Sequence, residues 1–286
     1  MERLTLKKAT RKQVKLRLGL SGASGFGKTY SALLLAYGMT GDWSKIAVID
    51  TENDSASLYA DLGEYNVISL SAPYTPERYI EAIKACEDSN IEVIIIDSIT
   101  HEWDGVGGCL DIQTSLGGKY QDWAKVTPRH QAFINAILQS SCHVITTVRR
   151  KQDFEMSKDS NGKVKVEKVG TKEVTREGFE YELTINFEFL NDRHMVKASK
   201  DRTSLFANGP EFIITSETGK KILEWCESGE VVDRRPTLAA NLFEKALSRM
   251  KAGEAGVKEK IEEMFNLNEG QKEALKEAIK QLTQAV

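Results

Sequence analysis

"GLSGASGFGKTYSALLLAYG", residues 19–38, decides the fold. Within it, Gly22, Ala23, Ser24, Gly25, Phe26, Gly27, Lys28 and Thr29 match the pattern G-x-x-x-x-G-K-[ST]. Glycines at these positions let backbone N–H groups turn toward phosphate oxygens, Lys28 neutralises β- and γ-phosphate charge, and the Thr29 hydroxyl is a ligand for Mg²⁺. The helix that opens at Lys28 adds the positive end of its dipole. A strand, "VKLRLGL" (14–20), precedes the loop and a helix runs to about Tyr37, which is the context the pattern needs. Residues 22–29 with the adjoining Tyr30 are therefore the expected nucleotide contacts, with ATP and Mg²⁺ as ligands.

Outward from this loop, strand and helix signals alternate, as in a mostly parallel sheet flanked by crossover helices. "KIAVID" (45–50) and "NVISL" (66–70) read as strands, and Thr75-Pro76 opens a helix with Ile80, Ile83 and Cys86 inward. "EVIIID" (92–97) is a continuous apolar run, the mark of a strand buried on both faces. Residues 103–123, rich in glycine, read as long loops; Thr127-Pro128 opens a further helix; "CHVITTV" (142–148) is the next strand. An alternating stretch about Asn161-Gly162 predicts a tight hairpin. "YELTINFEF" (181–189), "HMVKAS" (194–199) and "PEFIIT" (210–215) extend the sheet. After it come three amphipathic stripes beginning at Leu238, Val257 and Leu275. The expected organisation is an α/β nucleotide-binding core over 1–232, with a basic N-terminal leader, and a small helical appendage over 233–286.

A phosphate loop needs a carboxylate near its metal at the end of a buried strand, and Asp97 after "VIII" fits. Ser98 follows it, so the base that activates water must come from elsewhere. Glu52, just past "AVID", and Glu102, in "SITHEW", are the two candidates. Position at the C-terminal edge of a strand beside the phosphate loop favours Glu52.

The chain has 286 residues, 41% hydrophobic and 28% charged, with a net charge of −3, so it folds and is no basic nucleic-acid coat. Cys86, Cys109, Cys142 and Cys226 form no C-x-x-C pair and the four histidines show no zinc spacing. That usage predicts a reduced intracellular protein without structural metal. The N-terminus lacks an apolar signal core, and no apolar run approaches the roughly 20 residues of a membrane span.

"AVIDTE" and "VIIIDS" resemble the RecA-like ATPase core. "IIIDSITHEWDG", "WAKVTPRHQAFI", "KVGTKEVTREGFEYE" and "ASKDRTSLF" resemble the AAA-type phage nucleotide-binding proteins of that superfamily, which include single-strand annealing ATPases of phage recombination. The resemblance spans roughly residues 10 to 228. It implies a RecA-like P-loop NTPase core in which Lys28 and Glu52 are catalytic and Thr29 and Asp97 serve the metal. It also implies single-stranded DNA held by two loops, here residues 103–123 and the segment from Arg149 through the hairpin. Arg149, Arg150, Lys151, Lys163 and Lys165 give the second a positive field, while Trp103, Tyr120, Trp123 and Phe154 offer stacking surfaces. Lys200 and Arg202 occupy the place of basic residues that RecA sends into a neighbour's ATP site.

The function expected on that basis is an ATP-hydrolysing, single-stranded DNA-binding protein of phage-type recombination, annealing or replication. A homo-oligomeric ring or filament, with a single-strand-binding protein as a further partner, is expected in the cytoplasm of a bacterial cell and from a phage or prophage source. A hexameric helicase or helicase loader, and a nucleotide-dependent switch that binds a protein partner, remain alternatives on the same core.

Overall fold

A computed structural model describes residues 8–158, 164–230, 238–252, 254 and 256–284, with 153–158, 164–169, 269 and 281–284 described through their backbone alone. The chain divides into two compact units: Gln13–Gly229, and a second that takes the N-terminal residues through Lys12 together with Glu230 onward.

The larger unit is built on one sheet. β1 (Arg17–Gly22), β2 (Ile46–Asp50) and β4 (Val93–Asp97) are buried at every residue, so both faces need cover. With β3 (Asn66–Ser69), β5 (His143–Lys158) and β7 (Ile185–Phe189) they form a parallel array in the order β3-β2-β4-β5-β1-β7, which β8 (Met195–Asp201) and β9 (Phe212–Ile213) extend antiparallel. Alternate residues face opposite layers. Leu16, Leu18, Leu20, Val48 and Ile95 pack with α1 (Lys28–Thr40) and α7 (Ser216–Glu227); Ile49, Ile94, Ile96 and Val144 pack with α2 (Pro76–Glu87) and α5 (Trp123–Gln139). At the α1–α7 crossing the backbones touch: a Cβ added to Gly38 would lie 1.9 Å from the Ser216 carbonyl oxygen. α2 begins at Pro76 as expected, but Thr75 caps it through its backbone carbonyl, which accepts from Arg78 N at 3.1 Å.

Three local expectations change. The 103–123 stretch takes in the end of α3 (Thr100–Asp104) and all of α4 (Cys109–Ser115), both too short for a visible period, with Gly105 closing one and Gly108 opening the other. α5 starts at Trp123, four residues before Thr127-Pro128, because a 3₁₀ turn over Tyr120–Asp122 leads into it; Pro128 sits inside the helix, where its missing N–H costs one bond. Residues 179–182 form the single turn α6 (Phe179–Glu182), so the strand expected from 181 begins at Ile185.

β5 is longer than its parallel partners. Gly22 of β1 stands opposite Arg149, and from Arg150 onward β5 pairs instead with β6 (Val164–Glu173), antiparallel, from Arg150↔Glu173 to Lys158↔Val164. The Asn161-Gly162 turn and Lys163 lie outside the described residues.

In the second unit α8 (Ala240–Lys251), α9 (Val257–Met264) and α10 (Glu269–Gln284) enclose Leu238, Phe243, Met250, Val257, Ile261, Leu267 and Leu275. Leu242 and Met264, at helical spacing from these apolar residues, are about half exposed. Among the described residues no helix is long and apolar enough to cross a membrane.

Candidate active site

The phosphate loop joins β1 to α1 at the C-terminal edge of the sheet. Gly27 holds φ at 88°, a left-handed value that favours glycine, and a Cβ there would lie 2.6 Å from His194 Nδ1. His194, between β7 and β8, donates from Nδ1 to the Phe26 carbonyl at 2.8 Å and so buttresses the loop. Local sequence carries no sign of this contact, which joins residues 168 positions apart. Lys28 Nζ donates to the loop's own carbonyls, Gly22 O at 3.1 Å and Ala23 O at 2.8 Å. Burial pulls its ammonium down to about 8; Asp97 opposes that shift and Arg149 adds to it. Tyr30, exposed on the first turn of α1, tilts against Tyr59 with ring centres 5.7 Å apart.

Thr29 Oγ1 donates to Asp97 Oδ2 at 2.6 Å, and Thr147 Oγ1 donates to Asp97 Oδ1 at 2.5 Å. A hydroxyl and a buried carboxylate meeting at the mouth of a phosphate loop are a donor set that suits Mg²⁺, a hard cation bound through oxygen. The sequence does not mark Thr147, because a threonine in a buried strand has no distinguishing signal.

β2 and β4 lie side by side with Asp50 opposite Asp97. The Asp50 carboxylate accepts from Glu52 N at 2.6 Å and Ala56 N at 2.7 Å, folding the chain back just after the strand. Burial raises the Asp50 pKa. The turn presents Glu52 at the sheet edge, where Ser98 Oγ donates to Oε1 at 3.0 Å and the Arg149 guanidinium donates to Oε2. The geometry thus gathers Lys28, Thr29, Asp97, Glu52 and Arg149 at one edge. Glu102 is elsewhere engaged. It has no exposure, both its oxygens lie 3.0 Å from His130 Nδ1, and Cys109 Sγ donates to it at 3.1 Å. Burial, with this carboxylate beside it, raises the Cys109 thiol pKa.

The residues expected to meet nucleic acid separate. Arg149 belongs to the phosphate edge through Glu52, while Arg150 pairs with Glu188 at 3.1 Å and Lys151 with Asp104 at 2.8 Å. Lys165 stands opposite Ser157 in the β5–β6 ladder. Lys200 donates to the Glu180 carbonyl at 2.7 Å and to the Tyr181 carbonyl, and Arg202 donates to the Tyr181 carbonyl at 2.7 Å; both cations hold α6 of their own chain. Beside the base of the β5–β6 hairpin lies a cavity of about 1100 Å³ whose lining includes Trp103, Tyr120, Trp123, Lys151, Lys172 and Arg176. Trp103 stacks on Trp123 with centres 5.5 Å apart, and Tyr120 is 92% exposed.

The model of the AAA domain family matches residues 14–211. No curated protein matches this sequence. A solved structure described as a prototypical ATPase from the type III secretion system of pathogenic bacteria is similar at 13% identity and a TM-score of 0.38, over 62% of this chain and 51% of that one. The chain therefore spans about half that protein's length.

Proposed function

The chain belongs to the AAA domain family of P-loop ATPases, and from that premise we propose that it couples ATP hydrolysis to single-stranded DNA in phage-type recombination, annealing or replication. The observation that carries the coupling is the place of Arg149. It is the residue opposite Gly22 where β5 parts from the parallel sheet, it holds Glu52, and the next two residues enter the hairpin beside the aromatic cavity.

On this reading, the loop amides and Lys28 bind the triphosphate, with Lys28 exchanging the Gly22 and Ala23 carbonyls for phosphate oxygens. Thr29 and Asp97 are the residues that would hold magnesium, which when bound neutralises phosphate charge. Glu52 acts as general base. A carboxylate paired with a guanidinium and a hydroxyl is a poor proton acceptor, so the Arg149 contact keeps it idle until a shift in β5 releases it.

Tyr120, Trp123 and Trp103 supply faces on which bases stack, and Lys151, Lys172 and Arg176 supply phosphate contacts. Lys151 and Lys172 pair with Asp104 and Glu177. Exposed pairs of this kind contribute only about 0–1 kcal/mol, so a polyanion displaces them at small cost.

The test is steady-state ATP turnover with and without single-stranded DNA at two salt concentrations. The proposal expects stimulation that weakens as salt rises. Turnover indifferent to DNA at both would contradict it and favour a switch that binds protein.

A further inference from the structure

Between β4 and α5 the chain folds with little apolar core of its own. Within residues 101–122 the buried positions are Glu102, Gly108 and Cys109, while Val106, Leu116 and Tyr120 are exposed. Small proteins that lack a core are commonly held by a cross-link, either disulfide or metal, and the same device can hold a core-poor segment. A disulfide is absent, since Cys109 is a free thiol.

What this segment buries is a set of metal donors. Glu102 from α3, Cys109 from the first position of α4 and His130 from α5 each offer one ligand atom, and the three atoms lie within 4.8 Å of one another. Glu102 Oε1 is 3.1 Å from Cys109 Sγ and 3.0 Å from His130 Nδ1. Exposure is 0% for Glu102 and Cys109 and 4% for His130. Bonds of about 2.0–2.3 Å to a tetrahedral zinc ion put neighbouring ligand atoms roughly 3.3–3.8 Å apart, so modest side-chain shifts would admit the ion.

We propose that Glu102, Cys109 and His130 bind a zinc ion that staples the glycine-rich segment to α5, with the second Glu102 oxygen, also 3.0 Å from His130 Nδ1, filling the fourth position. The donor set of carboxylate oxygen, sulfur and imidazole nitrogen suits zinc, which takes all three. Charge also balances. A thiolate and a carboxylate offset the two positive charges of the ion, and the imidazole binds neutral, so the buried site carries no net charge. Binding releases the Cys109 thiol proton to solvent, and His130 gives up the Nδ1 proton that it points at Glu102, the neutral ring keeping its hydrogen on Nε2. The spacing of Glu102, Cys109 and His130 along the chain matches no familiar zinc pattern, because the three meet only after α3, α4 and α5 pack. The consequence is local. Trp103, next to Glu102, meets the edge of His130 with centres 5.4 Å apart and stacks on Trp123, so the ion would also fix one wall of the aromatic cavity.

The test uses the full chain, stripped with a chelator and free of nucleotide, titrated with Zn²⁺ and with Co²⁺ as a spectroscopic stand-in. The proposal expects about one equivalent bound per chain, a thermal midpoint raised by Zn²⁺, and a thiolate-to-cobalt charge-transfer band. Cys109→Ser abolishes the band, and His130→Asn weakens binding by about tenfold or more. The cobalt spectrum of the unmodified protein needs no variant to fold, and its lack of a thiolate band would overturn the proposal. So would a thiolate band that survives in Cys109→Ser, since another cysteine would then be the ligand.

Discussion

Arg149 donates to Glu52 across the C-terminal edge of the sheet, joining the point where β5 leaves its parallel neighbours to the carboxylate two residues past β2. One side chain thus touches the candidate base while its strand continues into the hairpin. Arg149→Ala should keep ATP binding within a few-fold but remove the response of turnover to single-stranded DNA, and Arg149→Lys, which keeps charge without the planar fork, should restore only part of it. ATPase assays with and without DNA check this; undiminished stimulation in Arg149→Ala would remove the arginine from the coupling.

Lys28 makes nucleotide binding sensitive to pH. Without nucleotide its ammonium sits at about 8, mainly through burial. A bound triphosphate favours the charged form, so its pKa is higher in the complex than in the free protein. Affinity is then level below about pH 8 and falls above it by up to about tenfold per unit, with a proton taken up on binding. Calorimetry with a non-hydrolysable ATP analogue, in buffers of different ionisation enthalpy, reads that proton directly. Lys28→Ala should abolish tight binding, and zero uptake near about pH 8.5 in the unmodified protein would contradict the assignment.

Tyr120 is the most exposed aromatic side chain of the cavity, and its removal leaves no hole in the core. Tyr120→Ala should weaken single-stranded DNA binding by about 1–3 kcal/mol while leaving the thermal midpoint in place. Lys151→Ala should lower the slope of log affinity against log salt by about one phosphate contact. Fluorescence anisotropy over a salt series separates the two effects, and wild-type affinity in Tyr120→Ala would exclude that ring as a base platform.

Gly38→Ala tests the packing of α1 on α7. The added methyl would meet the Ser216 carbonyl at 1.9 Å, a backbone atom that cannot swing aside. A loss of about 1–3 kcal/mol is expected, read as a lower urea midpoint at an unchanged slope. An unmoved midpoint would mean that the helices part without cost.

Much of this arrangement was legible in the residues. Unbroken apolar runs such as "VIIID" announce strands covered on both faces, the G-x-x-x-x-G-K-[ST] pattern marks the phosphate loop, and Asp97 and Glu52 can be located from the strands they follow. What stayed hidden depends on tertiary contact. Arg149 reads as one more cation in "VRRK" until β5 is laid beside β1 with Arg149 opposite Gly22. His194 at Phe26, Thr147 at Asp97 and the meeting of Glu102, Cys109 and His130 likewise join residues far apart in the chain. α3 and α4 leave no sequence signature, because five and seven residues are too few to show a helical period and their capping glycines mimic loop composition.

Single-turnover hydrolysis by Glu52→Gln at saturating ATP tests the central claim most directly. The amide keeps the shape and the Ser98 contact but cannot accept a proton from water. ATP should bind as before and the hydrolysis step should slow by about 10²-fold or more. Hydrolysis at the unmodified rate in that variant would contradict the role of Glu52 as base, and with it the reading of the β2–β4 edge as the place where the reaction occurs.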